Sequence, residues 1–218
     1  MEQVVFIGAH PDDFTGCCGT ALRMRGKFGL HIWDFTKGER GLQGQGVPLD
    51  ECGATREKEE ARVAASIGAE LHFCGEIDGD AYACRETCQR MAADLKTLNP
   101  RAIITHSVAD RHADHMMTAV AVLKAIQLAG IHPEVYSMEF SFQSTGFIPK
   151  FLVDISSVME QKIQLIRLYE CQNIKDGIVK NKQKTGAFRG EQYGCAYAEA
   201  FGSYDFIHDG QRCIFNEL

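Results

Sequence analysis

Short apolar runs alternate with longer amphipathic stretches along most of this chain, and the alternation predicts strands interleaved with helices. Residues 4–9, Val-Val-Phe-Ile-Gly-Ala, read as a buried strand: β-branched at the start and closed by a Pro-Asp turn signal. Residues 30–35, 71–74, 102–106, 134–140 and 151–155 carry the same signature. Helical spacing covers 16–28, 55–67 (with Ala54 or Thr55 at its start), 85–98, 116–128 and 158–171. The glycine-rich segment 38–53 predicts a long loop beside a strand's carboxyl end, a place where active-site flaps occur. Beyond residue 171 the chain reads as loop-rich, with a short strand near 213–215. Strand–helix alternation of this kind signals an α/β fold around a mainly parallel sheet. No repeat, low-complexity tract or linker divides it, so residues 1–218 are expected to form one domain.

Composition narrows the class without choosing the chemistry. A chain of 218 residues, 45% hydrophobic and 24% charged, has the balance of a soluble globular protein with a substantial core. A net charge of -6 argues against nucleic acid as the main partner, because phosphate binding wants a basic footprint. The start, Met1-Glu2-Gln3, has no basic region ahead of its short apolar run, and no stretch is long enough to span a membrane, so a cytoplasmic protein is expected. Nine cysteines, an odd number with no C-x-x-C pair, do not form a secreted disulfide framework. Cys84 and Cys88 lie one helical turn apart and suit a soft metal, but free cysteine packs like a small hydrophobe, and core packing is the expectation for most.

Chemistry concentrates at two strand ends. The first strand runs into His10-Pro11-Asp12-Asp13, and the run 102–106 ends in His106, followed by Asp110-Arg111-His112-Ala113-Asp114-His115 at the mouth of a helix. In open α/β sheets, ligands bind at the carboxyl ends of the strands. Taken separately, each group has an ordinary structural reading as a turn, a helix cap or a satisfied polar residue. Together, on neighbouring parallel strands, they read as a metal site. Catalytic zinc takes three protein ligands and leaves a position open, and His10, Asp13 and His115 supply such a set. Asp12 and His112 then remain for proton transfer. A two-histidine, one-carboxylate set also suits Fe2+.

The motifs, in order, resemble those of the LmbE-like (PIG-L) family of zinc-dependent de-N-acetylases. Ala9-His10-Pro11-Asp12-Asp13-Phe14 is similar to its AHPDDE motif, and Thr36-Lys37-Gly38-Glu39-Arg40-Gly41 to its T-x-G-E-x-G stretch. Arg56-Glu57-Lys58-Glu59 resembles an R-x-x-E helix start, and His112-Ala113-Asp114-His115 the late H-x-D-H motif. Arg189-Gly190 and Tyr197-Ala198-Glu199-Ala200-Phe201 resemble the closing motif of the bacterial sugar-deacetylase branch. The resemblance implies a Rossmann-like three-layer sandwich with the metal site at the carboxyl ends of the strands. It implies a Zn2+ site on His10, Asp13 and His115, Asp12 as general base, and His112 as oxyanion stabiliser or proton donor. The expected substrate is a small N-acyl amino sugar or glycoside, and a homo-oligomer is compatible with the sequence.

Further assignments follow from layout. Asp114 is expected to hold the His112 ring, against a plain reading as a helix N-cap. Arg56 is expected to contact sugar hydroxyls or an anionic substituent, against a surface salt bridge with Glu59 or Glu60. Asp78, after the third strand, is a further substrate-binding candidate. Two departures stand out: Phe14 replaces the family's glutamate, and Tyr169-Glu170-Cys171-Gln172 stands where many relatives have His-x-Ser-Gln. Phe14 is expected to change the surroundings of the metal or to line an apolar acyl slot. The competing functions are hydrolysis of a different amide and a metal-binding member without turnover. A nucleotide-binding domain lacks its G-x-G-x-x-G after the first strand.

Overall fold

The computed structural model describes residues 1–140, 146–204 and 213–218. Among these residues seven strands form one sheet: β1 (Gln3–Gly8), β2 (Gly29–Thr36), β3 (Glu70–Glu76), β4 (Ala102–Thr105), β5 (Glu134–Met138), β6 (Phe151–Asp154) and β7 (Ala198–Ser203). Their order across the sheet is β3-β2-β1-β4-β5-β7-β6. The first five strands run parallel, while β7 pairs antiparallel with both β5 and β6. Among the described residues six α-helices accompany it: α1 (Cys18–Met24), α2 (Leu49–Ile67), α3 (Arg85–Leu98), α4 (Ala113–Ala129), α5 (Met159–Ile166) and α6 (Gly177–Tyr193).

The period-two alternation of β1 explains the layers. Val4 and Phe6 join one apolar cluster with residues of α1, α2 and α5. Val5 and Ile7 point the other way, into a second cluster built with α3 and α4. Both faces of the sheet are therefore covered, as parallel strands with continuous apolar sequences require. The result is the expected three-layer α/β sandwich.

This topology also places the site. The connections from β1 lead outward through β2 to β3, and the chain then crosses back to add β4 on the other side of β1. The carboxyl ends of β1 and β4 thus flank the switch point of the sheet, the position at which open α/β sheets bind ligands.

Several elements depart from the sequence expectation. The helix expected over 16–28 is a 3-10 turn (Asp13–Gly16) followed by the shorter α1. Helix α2 begins at Leu49, not at Thr55, directly after Pro48, and Asp50 and Glu51 complement its amino end; the loop 38–53 is correspondingly shorter. The expected loop-rich tail contains α6 and β7. Helix α6 is polar over most of its surface and carries internal glycines, which masks its period. Gly190 is required there, since a Cβ would lie 2.6 Å from the carbonyl oxygen of Ala196. The strand expected near 213–215 is instead a 3-10 turn (Ile214–Glu217). All nine cysteines are free, with Cys17, Cys18, Cys52 and Cys88 buried. Among the described residues no helix is long and apolar enough to cross a membrane.

Candidate metal centre

His10 and Asp13 follow β1, and His115 lies in the first turn of α4; side-chain atoms of all three lie within 4.8 Å of one another. Asp13 is fixed by its Oδ2, which accepts the backbone N–H of Ala9 and of His10, each at 2.9 Å. His106 Nε2 lies 2.9 Å from the same oxygen. Gly8 permits the turn, because a Cβ there would stand 2.9 Å from Asp13 Cβ. Asp13 Oδ1 then lies 3.4 Å from His115 Nε2, and His10 Nδ1 lies 3.5 Å from Asp13 Oδ2.

These spacings fit a metal. Two ligand atoms at about 2.0–2.2 Å from a tetrahedral ion lie about 3.4 Å apart. The electrostatics agree. Burial disfavours charge on His115, yet Asp13 and Asp110 raise its pKa to about 9. Burial likewise opposes charge on His10, and Asp114, Asp13 and Asp78 still raise it well above the usual imidazole value. Asp13, despite its own burial, is held well below the carboxylate range by His115 and His106. The carboxylates therefore favour positive charge at this buried point, which a divalent cation would supply in exchange for the imidazole protons.

A second layer of side chains orients the first. His10 Nε2 lies 3.1 Å from Asp114 Oδ2 and 3.3 Å from Asp78 Oδ1. His115 Nδ1 lies 3.2 Å from Asp110 Oδ2. Asp114 also accepts the N–H of Gly79 at 2.7 Å, and so faces His10 from α4. The helix cap belongs to His112, whose Nδ1 accepts the N–H of Asp114 at 3.3 Å. Because that backbone group can only donate, Nδ1 is unprotonated and the neutral ring carries its proton on Nε2. Burial lowers the pKa of His112, as do His115 and His10. Its exposed ring stands 5.0 Å from that of His10 and 4.7 Å from that of His115.

Asp12 stands beside this cluster on left-handed backbone, φ 97° and ψ −17°. Burial pushes its carboxyl up to about 6, against the pull of Arg56. Arg56 is only 4% exposed. Its guanidinium donates to Asp12 Oδ1 at 2.5 Å, to the carbonyl of Pro11, and to the carbonyl of Gly38 at 3.1 Å. It is a buried partner of Asp12 in this structure. Asp78 is buried as well: it accepts the N–H of Arg40 at 2.9 Å, and although burial opposes it, His10 helps lower its carboxyl to about 2. Phe14 points into the core, edge-on to Phe6 with ring centres 5.3 Å apart.

All the candidate residues thus gather in one cluster, with Arg56 and Asp78 holding neighbouring protein groups. His106 and Asp110 belong to the same constellation, although the sequence reading gave them no role. The register that sets Phe6 of β1 beside Ile104 of β4 brings His106 alongside the β1 exit, and that pairing was the available signal. Glu60, fully buried, accepts the N–H of Asp12 at 3.1 Å and was missed because it reads as one more helix acid.

Residues 5–126 match the PIG-L family, described as GlcNAc-PI de-N-acetylase. The chain is 25% identical over 193 residues to the diacetylchitobiose deacetylase of Thermococcus kodakarensis, covering 81% of this chain and 72% of the relative. It is also 25% identical over 187 residues to the 4-oxalmesaconate hydratase of Pseudomonas putida, covering 77% and 72%. In structure it is similar to a conserved protein from Thermus thermophilus, with a TM-score of 0.80, 28% identity, and 94% and 95% of the two chains covered.

Proposed function

This chain belongs to the PIG-L family, and we propose that it is a zinc-dependent hydrolase, or one using another divalent ion such as Fe2+, that removes an N-acetyl or other N-acyl group from an amino-sugar-containing small molecule. The observation that carries this reading is the convergence of His10, Asp13 and His115 at ligand spacing, with Asp12 and His112 beside them. The deacetylase relative supports the reaction class.

His10, Asp13 and His115 would hold the ion, which when bound supplies Lewis acidity toward the acyl carbonyl and makes water acidic enough to lose a proton near neutral pH. Asp12 takes that proton; its raised pKa suits a base working near neutrality. Arg56 fixes the Asp12 carboxylate from behind. His112, neutral with its proton on Nε2, donates a hydrogen bond to the oxyanion that water attack produces. Asp114 and Asp78 orient His10, and Asp110 orients His115. Asp114 therefore acts on a metal ligand more directly than on His112.

The test is amine release by metal-stripped protein reloaded with Zn2+ or Fe2+, on N,N′-diacetylchitobiose and a panel of N-acyl glucosaminides. Release that depends on the ion and is lost in Asp12→Asn supports the reading. No release from any acyl amino sugar by metal-loaded protein refutes it. Hydration of an unsaturated tricarboxylate such as 4-oxalmesaconate by the same preparation would move the chemistry to the hydratase type.

A further inference from the structure

Asp12 occupies a backbone conformation that residues with a Cβ rarely adopt, and such conformations persist only where the surroundings over-determine them. Here the surroundings come from one face of α2. Arg56 donates to the Pro11 carbonyl and to Asp12 Oδ1, and Glu60, one turn on, accepts the Asp12 N–H through Oε2. The other oxygen of Glu60 is fixed in turn, accepting the hydroxyl of buried Tyr169 at 2.9 Å. Side chain and backbone of Asp12 are thus held from the same helix.

We propose that Glu60, locked by Tyr169, is a positioning residue that fixes the left-handed backbone of Asp12 and thereby aims its carboxylate. The inference rests on the reading of Asp12 as general base.

The chemistry of the pair explains why a second carboxyl group is tolerated beside Asp12. Burial raises Glu60 to about 8, which favours the neutral acid; its Oε2 then accepts from Asp12 as a carbonyl oxygen that adds no charge, while Oε1 and the Tyr169 hydroxyl share a hydrogen bond. A neutral amide of the same shape can do the same, with its oxygen toward Asp12 and its NH2 toward the Tyr169 oxygen. Leucine has the bulk but no acceptor, and leaves the Asp12 N–H without its partner.

The experiment compares Glu60→Gln, Glu60→Leu and Tyr169→Phe in metal-reloaded protein. In Glu60→Leu, kcat for amine release falls about 10- to 100-fold, the scale of loss from misplacing a reacting group by about 1 Å, while KM and metal content hold. Glu60→Gln stays within about threefold of wild type, and Tyr169→Phe falls between them. Hydrogen exchange at the Asp12 amide reads the same contact without turnover: it accelerates in Glu60→Leu and stays slow in Glu60→Gln. Unchanged kcat and unchanged exchange in Glu60→Leu overturn the proposal, as does an equal loss in Gln and Leu variants. If the leucine variant does not fold, a Tyr169→Phe protein with wild-type kcat and exchange overturns it. Accelerated exchange in Glu60→Leu, when metal-loaded wild type itself releases no amine, supports the hold on Asp12 while refuting the deacetylase reading, so the two failures are distinct.

Discussion

Replacing Arg56 with methionine isolates the buried pair on which the candidate base depends. The substitution keeps an unbranched apolar stem but removes the guanidinium that serves the carbonyls of Pro11 and Gly38 and the carboxylate of Asp12. Removing one partner of a buried ion pair costs about 3–5 kcal/mol, because the other charge stays behind without compensation. Asp12's side chain is 17% exposed and keeps some solvent, which places the loss near the lower end, at about 3 kcal/mol. In a chain of this size that corresponds to a fall of about 6–12 °C in Tm. Thermal and urea unfolding of Arg56→Met, Asp12→Asn and the double variant give the loss and, through the cycle, the coupling. The double variant is expected to lose clearly less than the sum of the single losses. A Tm within about 2 °C of wild type with a raised KM would refute this reasoning, and would put the guanidinium against substrate, as the sequence alone led one to expect.

His106→Phe keeps a ring stacked near His115 but removes the nitrogen beside Asp13 Oδ2, and should weaken metal binding about 10- to 100-fold in a chelator competition. Glu60 gives a pH signature in metal-free protein. Its folded pKa of about 8 lies above the ordinary 4.5, so its stabilising contribution is complete below pH 4.5 and is lost as pH rises through 8. Stability measured by urea unfolding should therefore fall more steeply with pH in wild type than in Glu60→Gln, and parallel curves would contradict the shift. Phe14→Glu places a carboxyl group in the core beside Phe6 and should lower stability by about 3–5 kcal/mol. An unchanged Tm together with an altered acyl preference would instead place position 14 at the substrate.

The central βαβ units were legible because their signals are local. Strands β1, β2 and β4 are apolar runs bounded by turns, and α3 coincides with its predicted span. Helix α6 and strand β7 were not legible, since α6 lacks a clean apolar stripe and β7 carries a buried glutamate at its second position. Glu199 is tolerated there because its carboxylate accepts the N–H of Gly19 and Thr20 at the start of α1 and pairs with buried Lys162 at 2.5 Å, partners distant in sequence. The site followed the same rule. His10, Asp12, Asp13, His112 and His115 announce themselves as dense polar clusters at element ends. The roles of Arg56, Asp78 and Asp114 depend on which atom faces which within the cluster, and no spacing encodes that. Asp114 shows it best, turning from the adjacent His112 toward His10.

The most direct test is anomalous scattering, recorded above and below the zinc and iron edges, from crystals of the metal-loaded protein. One peak per chain within about 2.0–2.2 Å of His10, Asp13 and His115, and absent in His115→Ala, is the expected result. A loaded, active protein whose peak lies elsewhere, or a protein that binds no ion while releasing amine at full rate, would contradict the metal centre.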